Sequence, residues 1–218
     1  MGIAAVVFDM DGVLIDSEPI WEQVRKEYVE LRGGRWRPDA QRRMMGMSTV
    51  EWAAYLSNDL GVAQPISVVS NGVIDLMAAR YSDHLPLLPG AAEAVRRCGA
   101  RWKLGLASSS PRSLIDLVLA KAGLLGEFSA ILSTEEVGRG KPAPDVYLTV
   151  AQRLGVEPEQ CAAVEDSSNG LRSARDAGMR VIAIPRPEFP PARDALAGAA
   201  AVLGSLDELV PEAVTGAA

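Results

Sequence analysis

Apolar residues follow two rhythms along this chain. Ile3 to Phe8 is an unbroken run of mostly branched residues ending in Asp9-Met10-Asp11-Gly12, the length and composition of a buried strand. From about residue 17 to 83 the rhythm is helical. Ile20, Val24, Tyr28 and Leu31 share one face, and Gly33-Gly34 stops that helix. A second helix is expected from Asp39 to Met45, before Gly46. A third begins at Ser48, with Glu51 three residues on as a capping box, and runs to Leu60. A fourth spans Ser67 to Tyr81, and no convincing strand falls in this stretch.

After the connector Pro86-Leu87-Leu88-Pro89-Gly90 and a helix at 91–98, short apolar strands alternate with helices. The strands are expected at 103–107, 130–132, 161–164 and 180–184, with a weak one near 200–203. The helices are expected at 112–122, 143–154, 168–177 and 206–210. Such alternation predicts a parallel sheet with right-handed crossovers, which the strand at 3–8 joins across the helical stretch. The expected organisation is an α/β core from 1–16 and 87–218, split by an all-helical insert at 17–86.

Composition narrows the partners. The chain has 218 residues, enough for one large or two modest domains, and 48% are apolar. A net charge of −6 argues against nucleic acid, and the broken basic cluster Arg32, Arg35, Arg37, Arg42 and Arg43 reads as a solvated face. Cys98 and Cys161 lack metal spacing and read as reduced core residues. No apolar run approaches membrane-helix length or a secretory pattern. Met1-Gly2 lacks the Ser or Thr that a myristoylation signal needs, since Val6 stands there. A cytoplasmic monomer with no membrane partner is the expectation.

The candidate chemistry gathers at predicted strand ends, where open α/β sheets place their ligand crevices. Asp9 and Asp11 repel each other if both ionise, which a fold tolerates when a cation or a catalytic task compensates. Strand 103–107 runs into Ser108-Ser109-Ser110-Pro111, hydroxyls and free N–H groups suited to an anion, with Ser110 as the expected helix cap. Lys141, between Gly140 and Pro142, supplies a compact positive charge. Glu165-Asp166, ending strand 161–164, offers hard oxygen ligands for Mg²⁺. Singly, each motif also reads as a cap or turn; their joint order is the informative feature.

That order resembles the signatures of the haloacid dehalogenase superfamily, over nearly the whole chain. Phe8-Asp9-Met10-Asp11-Gly12-Val13-Leu14 matches its first motif. The stretches Gly140-Lys141-Pro142-Ala143-Pro144-Asp145-Val146-Tyr147 and Val164-Glu165-Asp166-Ser167-Ser168-Asn169-Gly170 are most similar to those of hexose- and hexitol-phosphate phosphatases. The resemblance implies a Rossmann-like parallel sheet with helices on both faces and an inserted helical cap that closes over the site. It implies a Mg²⁺-dependent phosphatase acting on small phosphorylated metabolites, of the sugar or sugar-alcohol phosphate class, through an aspartyl-phosphate. Asp9 would be the nucleophile and Asp11 the general acid/base. Ser108, Ser109 and Lys141 would hold the phosphoryl group. The Asp9 carboxylate, the Asp11 carbonyl and Asp166 would hold the metal, with Glu165 a direct ligand or one step behind.

Met45-Gly46-Met47-Ser48 resembles the specificity loop of the cap, making Trp21, Gly46, Ser48 and Thr49 the candidate specificity residues. β-Phosphoglucomutases of this branch carry a histidine where Trp21 stands and an arginine where Thr49 stands. Both departures favour hydrolysis over the mutase alternative, although Arg43 nearby keeps a distal-phosphate site open. His84 reads as structural. A dehalogenase fits less well, because Asp11 and the cap suit phosphoryl transfer. A non-catalytic binding protein of the same fold is the remaining reading, and every motif residue it would be expected to lose is present.

Overall fold

The computed structural model describes residues 2–44 and 47–216. Six strands form one wholly parallel sheet: β1 (Ala5–Phe8), β2 (Lys103–Ser108), β3 (Ala130–Ser133), β4 (Cys161–Glu165), β5 (Arg180–Ala183) and β6 (Ala201–Val202). Their spatial order is β3-β2-β1-β4-β5-β6. The chain therefore winds outward from β1 in one direction through β2 and β3, then returns to its other side with β4. That reversal between β1 and β4 is a topological switch point, where the crossovers diverge and leave a crevice at the carboxyl ends. Phe8 is in register with Leu106 on one side and Val164 on the other, so Asp9 emerges between the ends of β2 and β4.

Helices cover both faces of this sheet. Ala5, Val7, Ala107, Cys161, Ala163, Val181 and Ala183 turn one way, into a core shared with α7 (Asp145–Leu154), α8 (Ser168–Asp176) and α9 (Arg193–Ala197). The alternate positions Val6, Phe8, Leu104 and Leu106 are also buried. On that side lie α5 (Ala91–Gly99) and α6 (Arg112–Lys121), and Phe8 meets Phe128 edge-on at 6.3 Å. The α/β class, with its parallel sheet, is the one expected.

Among the described residues, four helices occupy the stretch between β1 and α5: α1 (Glu18–Leu31), α2 (Ala40–Met44), α3 (Thr49–Asn58) and α4 (Ile66–Asp83). By its contacts the chain divides into two compact units, Ser17–Leu85 and the remainder, Met1–Asp16 with Pro86–Ala218. Within the helical unit α4 packs against α1 and α3. The two chain crossings run side by side within the α/β unit, where Ile15 and Leu87 form an antiparallel bridge, Asp16 N–H donates to Pro86 O and Leu88 N–H to Leu14 O.

Three expectations differ. Pro111, rather than Ser110, caps α6, so the Ser110 hydroxyl is free for another task. The expected helix at 206–210 is a single 3₁₀ turn, Leu206–Glu208. Two five-residue helices, α9 and α10 (Pro211–Thr215), carry too little periodicity to announce themselves.

Candidate active site

Asp9 follows β1 directly and is nearly buried; its N–H donates to Val164 O, extending the β1–β4 ladder by one residue. The chain then turns sharply through Gly12, whose φ is +79°. A Cβ at Gly12 would strike the Asp166 carboxylate, so this glycine lets the first acidic loop approach the second.

Lys141 reaches the same place from the segment before α7. Its ammonium donates to Asp9 Oδ1 at 2.8 Å, Glu165 Oε1 at 2.6 Å and the Ala107 carbonyl at 3.0 Å. Those contacts engage all three donors of the ammonium. Burial pulls the Lys141 pKa down, but the charges of Asp9 and Glu165 outweigh it and hold the group well above its ordinary value.

Glu165, at the end of β4, is fully buried. Its Oε1 accepts from Lys141 and from the Tyr147 hydroxyl at 2.8 Å; Oε2 accepts from Asp166 N–H, Ser167 N–H and the Ser167 hydroxyl. Gly170, in the first turn of α8, lies against this carboxylate, and any Cβ there would displace it. Ser167 Oγ meanwhile accepts from Gly170 N–H and caps α8.

Asp11 is pinned from the β2 side. Oδ2 accepts from the Ser108 hydroxyl at 3.1 Å and the Ser110 hydroxyl at 2.8 Å. Ser108 Oγ accepts from Ser110 N–H, and Ser133 Oγ donates to the Ser110 carbonyl, fixing the turn. Ser109, between them, is exposed. The structure thus brings Asp9, Asp11, Ser108, Lys141, Glu165 and Asp166 to one sheet edge. It adds Ser110, Tyr147, Ser167 and the Ala107 carbonyl. The alternation Ser108-x-Ser110 was a signal for the first of these. No pattern in the sequence marks the Tyr147 hydroxyl.

The electrostatics show which kind of ligand such a site suits. Burial, then the neighbouring Glu165 and Asp11 charges, push the Asp9 carboxyl up to about 8 against the pull of Lys141. Burial and the Glu165 and Asp9 charges raise Asp166 well above its ordinary range. Four carboxylates share a site with one ammonium, which pairs with only two of them, and buried charge without compensation is expensive. Asp9, Glu165 and Asp166 each offer an oxygen within 4.8 Å of the others. Asp166 Oδ1 and Asp11 Oδ1 are buried with no hydrogen-bond partner among the described residues. Hard, crowded oxygens with an orphan among them fit a divalent cation of the magnesium type.

The other candidates lie in the helical unit. Trp21, on α1, is nearly buried and meets the Trp52 ring of α3 at 6.0 Å. Ser48 caps α3 in a capping box with Glu51, and Thr49 begins that helix. Gly46 lies outside the described residues.

A sheet reversing at β1, with two acidic strand ends and a buried lysine between them, defines a class of α/β hydrolase. The family model for haloacid dehalogenase-like hydrolases matches residues 3–178, and the chain belongs to that family. It is 39% identical to hexitol phosphatase B of Escherichia coli over 85% of each chain. It is 34% identical to a phosphorylated carbohydrates phosphatase of Thermotoga maritima, covering 82% of this chain and 83% of that one. Among solved structures, CbbY from Rhodobacter sphaeroides in complex with phosphate superposes with a TM-score of 0.86 at 27% identity, over 97% of this chain and 99% of the other.

Proposed function

We propose that this enzyme is a Mg²⁺-dependent phosphatase that hydrolyses small phosphate monoesters, of the sugar or sugar-alcohol class, through an aspartyl-phosphate on Asp9. The observation that carries the reading is Asp9 itself. It sits at the switch point, one oxygen held by Lys141, beside carboxylates whose negative charge calls for a cation that would also draw in an anionic substrate. The hexitol and carbohydrate phosphatase relatives support the substrate class.

In this reading Asp9, Asp166 and the Asp11 carbonyl hold the metal, which when bound supplies positive charge to offset the substrate dianion. Lys141 neutralises and aims the nucleophile, because its donors are already committed to Asp9, Glu165 and Ala107. Asp9 attacks the phosphorus in line, and the ester oxygen leaves. Asp11 gives that oxygen a proton through the buried Oδ1, then takes one from the water that hydrolyses the aspartyl-phosphate. The Ser108 and Ser110 hydroxyls fix the orientation of Asp11 through Oδ2. Ser109, with the N–H groups that follow β2, receives the equatorial oxygens, while Ser108 acts through the Asp11 carboxylate that its one hydroxyl proton engages. Trp21, Gly46, Ser48 and Thr49 belong to the stretch that selects the alcohol portion.

Two measurements test this. Asp9→Asn should abolish phosphate release from a generic monoester; unchanged turnover would sink the mechanism. A Mg²⁺-dependent screen over hexose, hexitol, glycerol and glycolate phosphates should show phosphate release, with preference for the sugar and polyol esters. The same screen includes β-glucose 1-phosphate with its bisphosphate activator. Glucose 6-phosphate formed without phosphate release would overturn hydrolysis in favour of the mutase.

A further inference from the structure

We infer that Tyr147 is a positioning residue for the nucleophile, acting through Glu165 and Lys141. The inference rests on the phosphoryl-transfer reading of Asp9 above.

Tyr147 lies in the first turn of α7, fully buried against the sheet in an apolar core with Val146, Val150 and Ala163. A phenylalanine would fill that space without the desolvation cost of a hydroxyl. The hydroxyl donates instead to Glu165 Oε1 at 2.8 Å, the same oxygen that Lys141 contacts at 2.6 Å. The Tyr147 ring also lies 5.1 Å from the Lys141 ammonium. One side chain thus touches both members of the pair that stands behind Asp9.

The consequence follows from the donor count. Glu165 accepts from five donors and is blocked by Gly170, so its position is set. By donating to Oε1, the hydroxyl withdraws negative charge from the oxygen that competes with Asp9 for the lysine. Lys141 is then held between Glu165 and Asp9 Oδ1, and the other Asp9 oxygen is left for the substrate. Without the hydroxyl, Oε1 draws the ammonium toward itself and Asp9 loses its anchor. Tyr147 touches no substrate atom in this account; its effect reaches the reaction only through Glu165.

The test is a double-mutant cycle on the full chain: wild type, Tyr147→Phe, Glu165→Gln and the pair, with 4-nitrophenyl phosphate as substrate. Tyr147→Phe should lower kcat by about tenfold, the scale of one hydrogen bond to a charged group, with KM changed by less than about twofold. Mg²⁺ binding to the resting protein, followed by calorimetry, should stay within about twofold of wild type, because the hydroxyl bonds Glu165, whose oxygens its five donors already occupy, and neither Asp9 nor Asp166. In the Glu165→Gln background the same substitution should change kcat by less than about twofold. Glu165→Asp, which withdraws the carboxylate from the hydroxyl, supplies the same background should the glutamine chain not fold. A Tyr147→Phe enzyme with wild-type kcat overturns the inference, as does a tenfold loss that persists in the Glu165 variant or a parallel loss of Mg²⁺ affinity. Asp9→Asn is the separate arm: turnover surviving there overturns the nucleophile, whatever Tyr147 does.

Discussion

The helical unit and the sheet edge of the α/β unit both bury polar side chains, and they satisfy them differently. In the helical unit the Arg25 guanidinium lies 4.6 Å from the Trp21 ring and 5.1 Å from the Trp52 ring, and donates to Gln41, which donates to Glu18. Tyr28 closes onto Gln64 and the Val68 carbonyl. The buried cation there, Arg25, meets aromatic faces and a neutral amide. At the sheet edge, four carboxylates crowd around a site with one ammonium, which pairs with Asp9 and Glu165 alone, and Asp11 Oδ1 and Asp166 Oδ1 have no hydrogen-bond partner among the described residues. The first arrangement leaves neutral hydroxyls such as those of Ser17 and Tyr55 without a hydrogen-bond partner among the described residues, but it gathers no comparable cluster of carboxylates there. The second calls for added positive charge, and that difference separates a scaffold from a site.

The largest way to break the comparison is to remove the one ammonium. Lys141→Met should lower kcat by about 10³-fold, the upper end for losing one preorganised electrostatic group. It removes the charge that draws the Asp9 pKa down against burial, so Asp9 keeps its proton to higher pH than in the wild type. Single-turnover kinetics and a pH titration of the metal-free variant would measure both. A loss of less than tenfold would mean that Lys141 merely fills space.

A smaller effect is expected from pH in the metal-free protein. Burial and neighbouring carboxylates raise Asp9 from 3.8 to about 8, and Asp166 moves in the same direction. Between those values the folded chain holds protons that the unfolded chain has released. Stability from these groups is therefore full below about pH 4 and is lost as pH rises through about 8. Calorimetric melting in chelator should show a midpoint that falls across this window. Added Mg²⁺ should flatten the curve by taking over the role of the proton, with its largest stabilisation at the alkaline end. A midpoint independent of pH in chelator would show that Lys141 alone balances the site.

The sheet was legible because its strands are short, branched and separated by helical spacing, and because parallel order follows from that alternation. The placement of Asp9, Ser108 and Glu165 at strand ends followed from the same pattern. What the chain did not disclose is who bonds to whom across the crevice. Ser110 reads locally as a helix cap, and only the turn fixed by Ser133 swings its hydroxyl to Asp11. Glu165 reads as one of two equal acids beside Asp166. Five donors arriving from three separate segments make it the anchor, while Asp166 keeps an open oxygen. Such pairings are long-range, and local periodicity carries no record of them.

The smallest effect belongs to the helical unit and sharpens the contrast from its other side. Ser48 N–H and the Ser48 hydroxyl both donate to Glu51 Oε2 at 2.7 Å, and Glu51 N–H donates back to the hydroxyl. These bonds hold the Glu51 carboxyl below its ordinary range. Ser48→Ala keeps the backbone bond and removes the two that use the hydroxyl, so α3 should lose about 1 kcal/mol, as capping substitutions typically cost. Part of what remains should fade as pH drops through the lowered Glu51 range, because protonation weakens the surviving bond. Chemical denaturation at neutral and acidic pH would read both changes. A loss several times larger, or one insensitive to acid, would mean that Ser48 is bound into charges beyond its own helix. The helical unit would then share the dependence that marks the sheet edge.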